Sequence, residues 1–385
     1  MFASLVGLIH QPSIAVRVPN DDSTFDPREF SSLAFLAKGK IQGKIRLIHS
    51  TENHMGLGTI STRLWVTKEN DKDEVSVRVL RENKTLTVIV EGPSRFGSFN
   101  IYHETTILIP ASTKHMDSLH LESANTSFST DAIDSLTWGI VYAELSNSGI
   151  AVQSLHADTI RLHTSNSSLS GKFDAGHIDL TTSNGSISAK LSVLEAQDGR
   201  QSVVKTKTSN APINLHVDAT QTRQGLWMEN TTKNGKVVVG ALLGDAARPS
   251  CLNATSANAK IELNVDASQT GQPLEVNTNT SNATIVSSVM LPAYQSFKSI
   301  AQSSNGSVTV NLTDGFQGRF ELETSNSPAA VEGSDLQFEL DKKSTKRGTR
   351  GHGVGNVKIV TSNAAASLRF YPGGESLAAD SKMQH

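Results

Sequence analysis

Hydrophobic and polar residues alternate one by one over many short stretches of the chain. In residues 178–191, I-D-L-T-T-S-N-G-S-I-S-A-K-L, small or apolar residues fall at every second position on either side of a central S-N-G. Residues 261–265 repeat the pattern, with three aliphatic residues separated by Glu262 and Asn264. A period of two is typical of a β-strand with one buried face. Each stretch therefore predicts two short strands joined by a turn.

The turn signal S-N-G, or a close variant, recurs along most of the chain. Its asparagines are Asn166, Asn184, Asn210, Asn234, Asn258, Asn282, Asn305, Asn326 and Asn363, with weaker members at Asn125 and Asn147. A spacing of 24 residues holds three times in succession between Asn210 and Asn282. Periods in this range are typical of solenoids, whereas propeller blades need about 40 residues or more. The pattern predicts an all-β, single-domain parallel β-helix, or β-solenoid, of about ten to eleven coils.

Asparagine has two predicted roles at these turns. It tolerates the left-handed backbone conformation, and its side chain can bond nearby backbone groups. Stacked asparagines at one corner would also form a ladder of amides. A meander of antiparallel hairpins is the alternative, because Asn-Gly is also a common hairpin turn. The unequal connections between strands, and the retention of Asn where Gly is replaced, favour the solenoid.

The ends of the array are predicted to differ from its middle. Residues 1–39 form an N-terminal segment that caps the first coil, and residues 371–385 form a disordered tail. Between them lies a solenoid over 40–370, with leading strands at 40–110 and S-N-G repeats at 120–370. Within the cap, Asp26 and Pro27 are signals that allow a short helix to start there. A strand over S-S-L-A-F-L competes with this helix and is slightly favoured.

One segment of the repeat region, residues 341–356, is an insertion rich in basic residues. It contains Lys342, Lys343, Lys346, Arg347 and Arg350. A solvated loop is the expected structure, and contact with an anion is the alternative role.

Composition narrows the classes of function. A net charge of −2 provides no general attraction to nucleic acid, and 37% apolar with 5% aromatic residues predicts a thin aliphatic core. Cys251 is the only cysteine, which excludes an internal disulfide and a cysteine-based metal site. No apolar run approaches the roughly 20 residues of a transmembrane helix. The opening M-F-A-S-L-V-G-L-I-H lacks the basic residues of a convincing signal peptide.

The search for catalytic groups identifies few candidates, and we predict no cofactor and no metal. Parallel β-helices can be polysaccharide lyases or hydrolases, which need clustered carboxylates. The candidates are Asp158, Asp174 and Asp179, with His156, His163 and His177 nearby, although solvent-facing turn and strand residues are the favoured interpretation. Three tryptophans could stack on sugars or simply pack in the core, namely Trp65, Trp138 and Trp227.

The repeats carry a resemblance to a known family. The S-N-G-x-I units follow the strand pair E-V-S-V-R-V-L and T-L-T-V-I-V-E-G, and then T-T-I-L-I-P-A-S-T-K-H-M-D-S-L-H-L-E-S-A-N. Over roughly residues 40–335, extending towards 370, this arrangement resembles the putative adhesin domains of unknown function in bacteria and in similar fungal proteins. The resemblance implies a parallel β-helix-like fold and a cell-surface or extracellular location. It brings no catalytic residues, and K-N-G-K at Asn234 and S-N-S-P-A-A at Asn326 depart from its pattern.

These observations predict a non-enzymatic, adhesin-like interaction or structural β-solenoid. Its partner, a carbohydrate or a protein surface, is not identified by the sequence, and no specific nucleic acid is expected. The alternative is a carbohydrate-active β-helix enzyme, either a polysaccharide lyase or a hydrolase.

Overall fold

The computed structural model describes residues 16–18, 22–50, 56–67, 69–93, 101–131 and 133–372. Within these ranges the chain is all-β, apart from one short 3₁₀ helix at Glu69–Glu74, and none of their helices is long and apolar enough to cross a membrane. The predicted all-β solenoid class is therefore confirmed. The first ten residues and the proposed tail beyond residue 372 lie outside the described ranges. The chain divides into two compact units, Met1–Ala189 and Lys190–His385, so one continuous domain stays a prediction.

Unit 1 contains twelve strands among its described residues, and a thirteenth spans its boundary. They are β1 (Val16–Val18), β2 (Ser23–Phe25), β3 (Ser32–His49), β4 (Gly58–Val66), β5 (Ser76–Glu82), β6 (Thr85–Glu91), β7 (Ile101–Ile109), β8 (His115–Thr130), β9 (Thr137–Leu145), β10 (Ile150–Thr164), β11 (Leu169–Ala175), β12 (His177–Thr182) and β13 (Ile187–Val193).

The long strand β3 organises the first part of unit 1. Both halves of β3 pair in parallel with β8, while its first half also pairs with β6 and its second half with β7. Antiparallel pairs β5–β6, β4–β7, β1–β4 and β2–β4 also belong to this part. The described residues between 40 and 110 are mostly strands, as their alternation predicts, and these strands form a mixed sheet without asparagine-marked coils.

Of the two alternatives after Asp26, the strand forms and the helix does not. The carbonyl of Asp26 accepts hydrogen bonds from the amides of Glu29 and Phe30, and its carboxylate accepts one from the amide of Arg28. The capping chemistry therefore forms one turn, which ends where β3 begins. Leu33 and Phe35, each 1% exposed, alternate into the core, so pairing on both sides of β3 favours the strand alternative.

Unit 2 contains sixteen strands that begin within it among its described residues. They are β14 (Ser202–Lys207), β15 (Ile213–Ala219), β16 (Leu226–Thr232), β17 (Val237–Leu243), β18 (Ser250–Ser256), β19 (Ile261–Asp266), β20 (Leu274–Thr280), β21 (Ile285–Met290), β22 (Phe297–Ser303), β23 (Val308–Thr313), β24 (Gly318–Thr324), β25 (Ala329–Glu332), β26 (Leu336–Asp341), β27 (Thr345–Arg350), β28 (Gly355–Thr361) and β29 (Ala366–Tyr371).

The regular part of unit 2, residues 202–313, is a stack of coils with two strands each. The first strands, β14, β16, β18, β20 and β22, pair in parallel and form the first sheet. The second strands, β15, β17, β19, β21 and β23, form the second sheet in the same way. Alternate residues of every strand are buried, for example Val237, Val239 and Ala241. Each coil thus adds a few aliphatic side chains to a thin core, as the period of two predicts.

The C-terminal end of unit 2, residues 318–371, departs from chain order. Strand β28 lies between β22 and β24, and β29 lies between β23 and β25. The last coil, residues 355–371, is therefore inserted between the two coils that precede it in sequence. Strand β27 pairs antiparallel with both β24 and β26, which places the hairpin β26–β27 next to the coil formed by β24 and β25. Much of the basic insertion, predicted as a solvated loop, is thus part of a β-hairpin.

Candidate functional site

The asparagines of the S-N-G turns form amide ladders in each unit. In unit 1, Nδ2 of Asn147, Asn166 and Asn184 donates to Oδ1 of the asparagine one coil earlier, at 2.7–2.9 Å. In unit 2, the ladder runs in the order Asn210, Asn234, Asn258, Asn282, Asn305, Asn363 and Asn326. Four corners in unit 1 and seven in unit 2 match the predicted number of coils, and the amides line up as expected.

A second ladder, made of buried hydroxyl groups, lies beside the amides. Thr232 stands two residues before Asn234 and is 3% exposed. Its Oγ1 accepts from the amide of Gly235 at 3.1 Å and donates to the carbonyl of Ala211, one coil earlier, at 3.4 Å. Ser256 and Ser303 make the same pair of contacts in their coils. These hydroxyls satisfy turn groups that the core would otherwise leave unpaired.

The ladder asparagines do not adopt the left-handed conformation expected for them. Among the described residues, positive φ outside glycine occurs at Asn83, Lys84, Tyr294 and Asp335, and not at the S-N-G turns. Glycine follows some ladder asparagines because the coils approach closely: a Cβ atom on Gly235 would lie 1.8 Å from a carbonyl oxygen of the neighbouring coil. Asparagine is therefore kept at these turns for its side-chain amide, which bonds between coils.

The outward side of the first sheet in unit 2 is the candidate binding surface, which we call the polar face. Three columns of side chains cross its five strands in register. They are Val203, Trp227, Cys251, Glu275 and Lys298; Lys205, Glu229, Asn253, Asn277 and Ile300; and Lys207, Thr231, Thr255, Asn279 and Gln302. Most of these side chains carry hydrogen-bonding groups, so the face can contact an extended polar partner at many points.

A groove of about 490 Å³ borders the polar face where the long loops enter its strands. It is lined by Gln201, Arg248, Pro249, Ser250, Cys251, Pro273, Leu274, Glu275, Ser296 and Lys298. Nζ of Lys298 lies 2.9 Å from Glu275, and this hydrogen bond holds the pKa of the Glu275 carboxyl below its usual value. Burial raises the pKa of the Cys251 thiol, so the groove does not activate the only cysteine.

The basic residues of the insertion are dispersed over the hairpin, and three of them form ion pairs. Lys346 pairs with Asp341, and Arg347 lies 2.5 Å from Glu321. The hydrogen bond from Arg347 lowers the pKa of the Glu321 carboxyl. Lys342 and Lys343 are exposed at the turn, and the described chain provides no ion pair for either. Anion binding stays a prediction, and these two lysines are its best remaining candidates.

Arg350, the fifth of these basic residues, is 5% exposed and has a structural role that sequence reasoning missed. Its guanidinium donates to the carbonyls of Asp314, Phe316 and Ser334 at 2.8–3.1 Å and to the carboxylate of Asp314 at 2.9 Å. It also lies 5.0 Å from the ring centre of Phe370. One side chain therefore joins the hairpin to three other segments of unit 2.

The candidate catalytic carboxylates do not converge into a described site. Asp174 lies 3.6 Å from Lys172 and 3.9 Å from His156, while Asp179 accepts a hydrogen bond from the Thr181 hydroxyl. His163 and His177 stand opposite threonines of neighbouring strands. Within the described ranges, no three His, Cys, Asp or Glu side chains are grouped so that they could hold a metal ion.

The three tryptophans separate into one core residue and two residues with an accessible surface. Trp138 is fully buried, so it packs and cannot stack on a sugar. Trp65 is partly exposed beside Tyr102, with 5.6 Å between ring centres. Trp227 is partly exposed on the polar face, with Nζ of Lys205 5.1 Å from its ring centre.

A buried histidine in unit 1 was not identified from the sequence. His103 is 0% exposed, bonds Thr105 and Thr126 through its two ring nitrogens at 3.1 and 2.9 Å, and stacks on Phe35. Burial lowers the pKa of His103 from 6.5 to about 3. A neutral ring satisfied by two hydroxyls explains how this polar group is accommodated in the core.

Comparison with known proteins gives matches among solved structures alone. No protein-family model and no curated protein sequence matches the chain. The chain is similar to a putative cell adhesion protein from Clostridium sporogenes ATCC 15579, with 8% identity, coverage of 92% of this chain and 99% of that one, and a TM-score of 0.17. It is similar to a putative adhesin from Parabacteroides merdae ATCC 43184, with 12% identity, coverage of 93% and 96%, and a TM-score of 0.30.

A putative adhesin from Parabacteroides distasonis ATCC 8503 gives a comparable match, with 10% identity, coverage of 90% and 96%, and a TM-score of 0.31. With every TM-score below 0.5, these superpositions define neither a shared ligand nor a shared site. The first protein is described as a putative cell adhesion protein and the other two as putative adhesins.

Proposed function

We propose that the protein is a non-enzymatic, adhesin-like β-solenoid whose polar face binds a carbohydrate or protein surface. The register of this face carries the proposal, since columns of polar side chains run straight across five parallel strands. Neighbouring strands are about 4.8 Å apart, and alternate residues of one strand are about 6.6 Å apart. The result is a regular array of donors and acceptors that suits an extended partner.

Preorganisation supports this use of the polar face. Asn277 donates to Asn253 at 3.0 Å, and Glu275 is bonded by both Lys298 and Asn277. Side chains that are already held in place lose less conformational entropy when a partner binds. We propose a cell-surface or extracellular location on the resemblance of the repeats.

The test combines a glycan array with a binding assay on immobilised cell-surface proteins. The triple variant T255A/N279A/Q302A removes three exposed groups from one column of the polar face. If each hydrogen bond contributes about 0.5–1.5 kcal/mol, affinity should fall about tenfold or more. The matched control N214A/H216A/N264A changes exposed residues on the second sheet and should bind like the unmodified protein.

Three results would overturn the proposal. The first is binding that both triple variants weaken equally, and the second is no binding to any arrayed glycan or surface protein. The third is cleavage of a polysaccharide that Asp174→Ala abolishes, which would establish the enzyme alternative.

A further inference from the structure

A groove in unit 1 has the chemistry of an anion site and is separate from the polar face of unit 2. Its strands lie in the order β4, β7, β3 and β8, so Arg63 stands opposite Glu104, and Glu104 stands opposite Lys44. The groove has a volume of about 450 Å³ and is lined by Lys44, Arg46, Ser61, Arg63, Glu104, Thr105, Thr106 and Ser129. This volume is within the roughly 300–1,000 Å³ typical of ligand pockets.

The lining has three cations and one carboxylate. Nζ of Lys44 lies 2.6 Å from Glu104, and Arg46 is bound at 2.7 Å by Asp131. Arg63 is exposed, and no other described residue forms an ion pair with it. The side chains of Lys44 and Arg46 are 51% and 54% exposed, so both can also reach a ligand. The lining of the groove therefore has a net positive charge, and within the described ranges the Arg63 guanidinium forms no ion pair.

Hydroxyl groups form a row beside these cations. Ser61 stands opposite Thr106, which stands opposite Arg46, and Ser129 follows on the next strand. Hydroxyls donate readily to the oxygens of a sulfate or carboxylate, and hydrogen bonds to such charged acceptors are the stronger ones. The row favours an oxyanion with several acceptor oxygens over a simple halide ion.

An aromatic residue stands on β4 beside the residues that line the groove. Trp65 lies two residues beyond Arg63, which places both on the same side of the strand, and it is partly exposed. An indole face is an apolar platform with a polar edge, suited to the flat side of a sugar ring. A cationic groove with a neighbouring tryptophan matches a charged sugar better than a bare ion.

We propose that this groove binds an acidic saccharide, a sugar chain that carries sulfate esters or carboxylates. The oxyanion contacts Arg63 and Lys44, the hydroxyl row binds its remaining oxygens, and a sugar ring lies against Trp65. Glu104 opposes binding, because it is the single carboxylate of the lining and neutralises Lys44.

Two substitutions with opposite expected effects test the proposal. Affinity is measured for a sulfated polysaccharide, a uronic-acid polysaccharide and a neutral one, at low and high salt. R63Q should weaken binding of the acidic chains about tenfold, the loss of one charge-assisted contact. E104Q should increase the affinity for the acidic chains about threefold or more. High salt should lower the affinity of the unmodified protein for these chains. R319Q changes an exposed arginine of unit 2 and is the matched control.

The pattern across ligands and variants decides the outcome. Preference for the sulfated or the uronic-acid chain identifies which oxyanion the groove accepts. Equal binding of the neutral chain, no effect of R63Q, or weaker binding by E104Q would overturn the proposal. T255A/N279A/Q302A should leave this binding unchanged, which distinguishes its failure from failure of the polar-face function.

Discussion

The regular coils and the C-terminal end of unit 2 satisfy their polar groups in different ways. In the regular coils, each contact repeats. Asn258, for example, donates to Asn234 and accepts from Asn282, and both hydrogen bonds are 2.8 Å long. At the C-terminal end, the last coil is inserted out of chain order. Arg350 makes contacts there that do not repeat from coil to coil. Stability in the first region is spread over equal small contributions, whereas in the second it is concentrated on a few residues.

This difference decides what a substitution does. Losing one rung of a ladder removes one or two exposed hydrogen bonds, each of about 0.5–1.5 kcal/mol. Losing the buried guanidinium of Arg350 removes four hydrogen bonds at once, three of them part-buried and one buried. The two regions should therefore respond very differently to the removal of a single polar side chain.

Disulfide cross-links that test the strand order at the C-terminal end give the largest expected effect, because each cross-link either forms or does not form. Val360 lies between Gln302 and Glu323 in the sheet, in register with both. With Cys251 replaced by serine, the pairs Q302C/V360C and E323C/V360C should cross-link on oxidation, because adjacent strands place Cα atoms within disulfide reach. Q302C/E323C should not, because a strand intervenes. Non-reducing electrophoresis reads out each pair, and cross-linking of Q302C/E323C alone would restore simple chain order.

Substitution of Arg350 should destabilise the C-terminal end strongly. Arg350→Met removes the guanidinium and leaves the carbonyls of Asp314, Phe316 and Ser334 without their donor, at an expected cost of about 2–3 kcal/mol. Hydrogen exchange of residues 336–371 measures the loss locally. Arg319→Met, at an exposed site of the neighbouring strand, is the control and should cost less than about 0.5 kcal/mol. Similar exchange in both variants would contradict the role of Arg350.

Acid should destabilise unit 1 through His103, a buried residue whose contacts do not repeat from coil to coil. The folded-state pKa of His103 is about 3, below the unfolded value of 6.5. Below pH 6.5 the imidazole of His103 binds a proton in the unfolded chain but stays neutral in the folded chain. The free energy of unfolding therefore decreases as the pH falls from 6.5 towards 3. The loss approaches about 1.4 kcal/mol per pH unit in this window. Denaturant unfolding at pH 7 and at pH 5, with hydrogen exchange to report on unit 1, measures this loss of stability.

The control for His103 separates its titration from that of the carboxylates. His103→Gln keeps hydrogen-bonding groups beside Thr105 and Thr126 but does not titrate. Its stability should fall less between pH 7 and pH 5 than that of the unmodified protein, by roughly 2 kcal/mol. Equal losses in the two proteins would mean that His103 is not the source.

Features that repeat could be predicted from the sequence. Alternation of apolar residues predicts strands because each coil buries one face, and a constant spacing of 24 residues predicts which residues stack. The asparagines at 210, 234, 258 and 282 therefore align as expected. The described strands between residues 40 and 110 could also be predicted, because their alternation is equally clear.

Features that occur once could not be predicted in the same way. Nothing in the S-N-A turn at Asn363 indicates that its coil lies before that of Asn326, since both present the same corner chemistry. The signal at Asp26 was a genuine cap, but pairing of β3 with two neighbours overrode it. The candidate groove in unit 1 was missed because Arg63, Glu104 and Lys44 are distant in sequence and meet only through strand pairing.

The smallest predicted effect compares the middle of the ladder in unit 2 with its end. Asn258→Ala removes two amide bonds, whereas Asn326→Ala removes one, because Asn326 donates to Asn363 and follows it as the last rung. Exposed side-chain bonds lie at the low end of the usual range, so we expect losses of about 1 and about 0.5 kcal/mol. Denaturant unfolding of both variants, with hydrogen exchange to localise the change, measures the difference. A larger loss at Asn326 would show that the interleaved end, rather than repetition, dominates the ladder's contribution to stability.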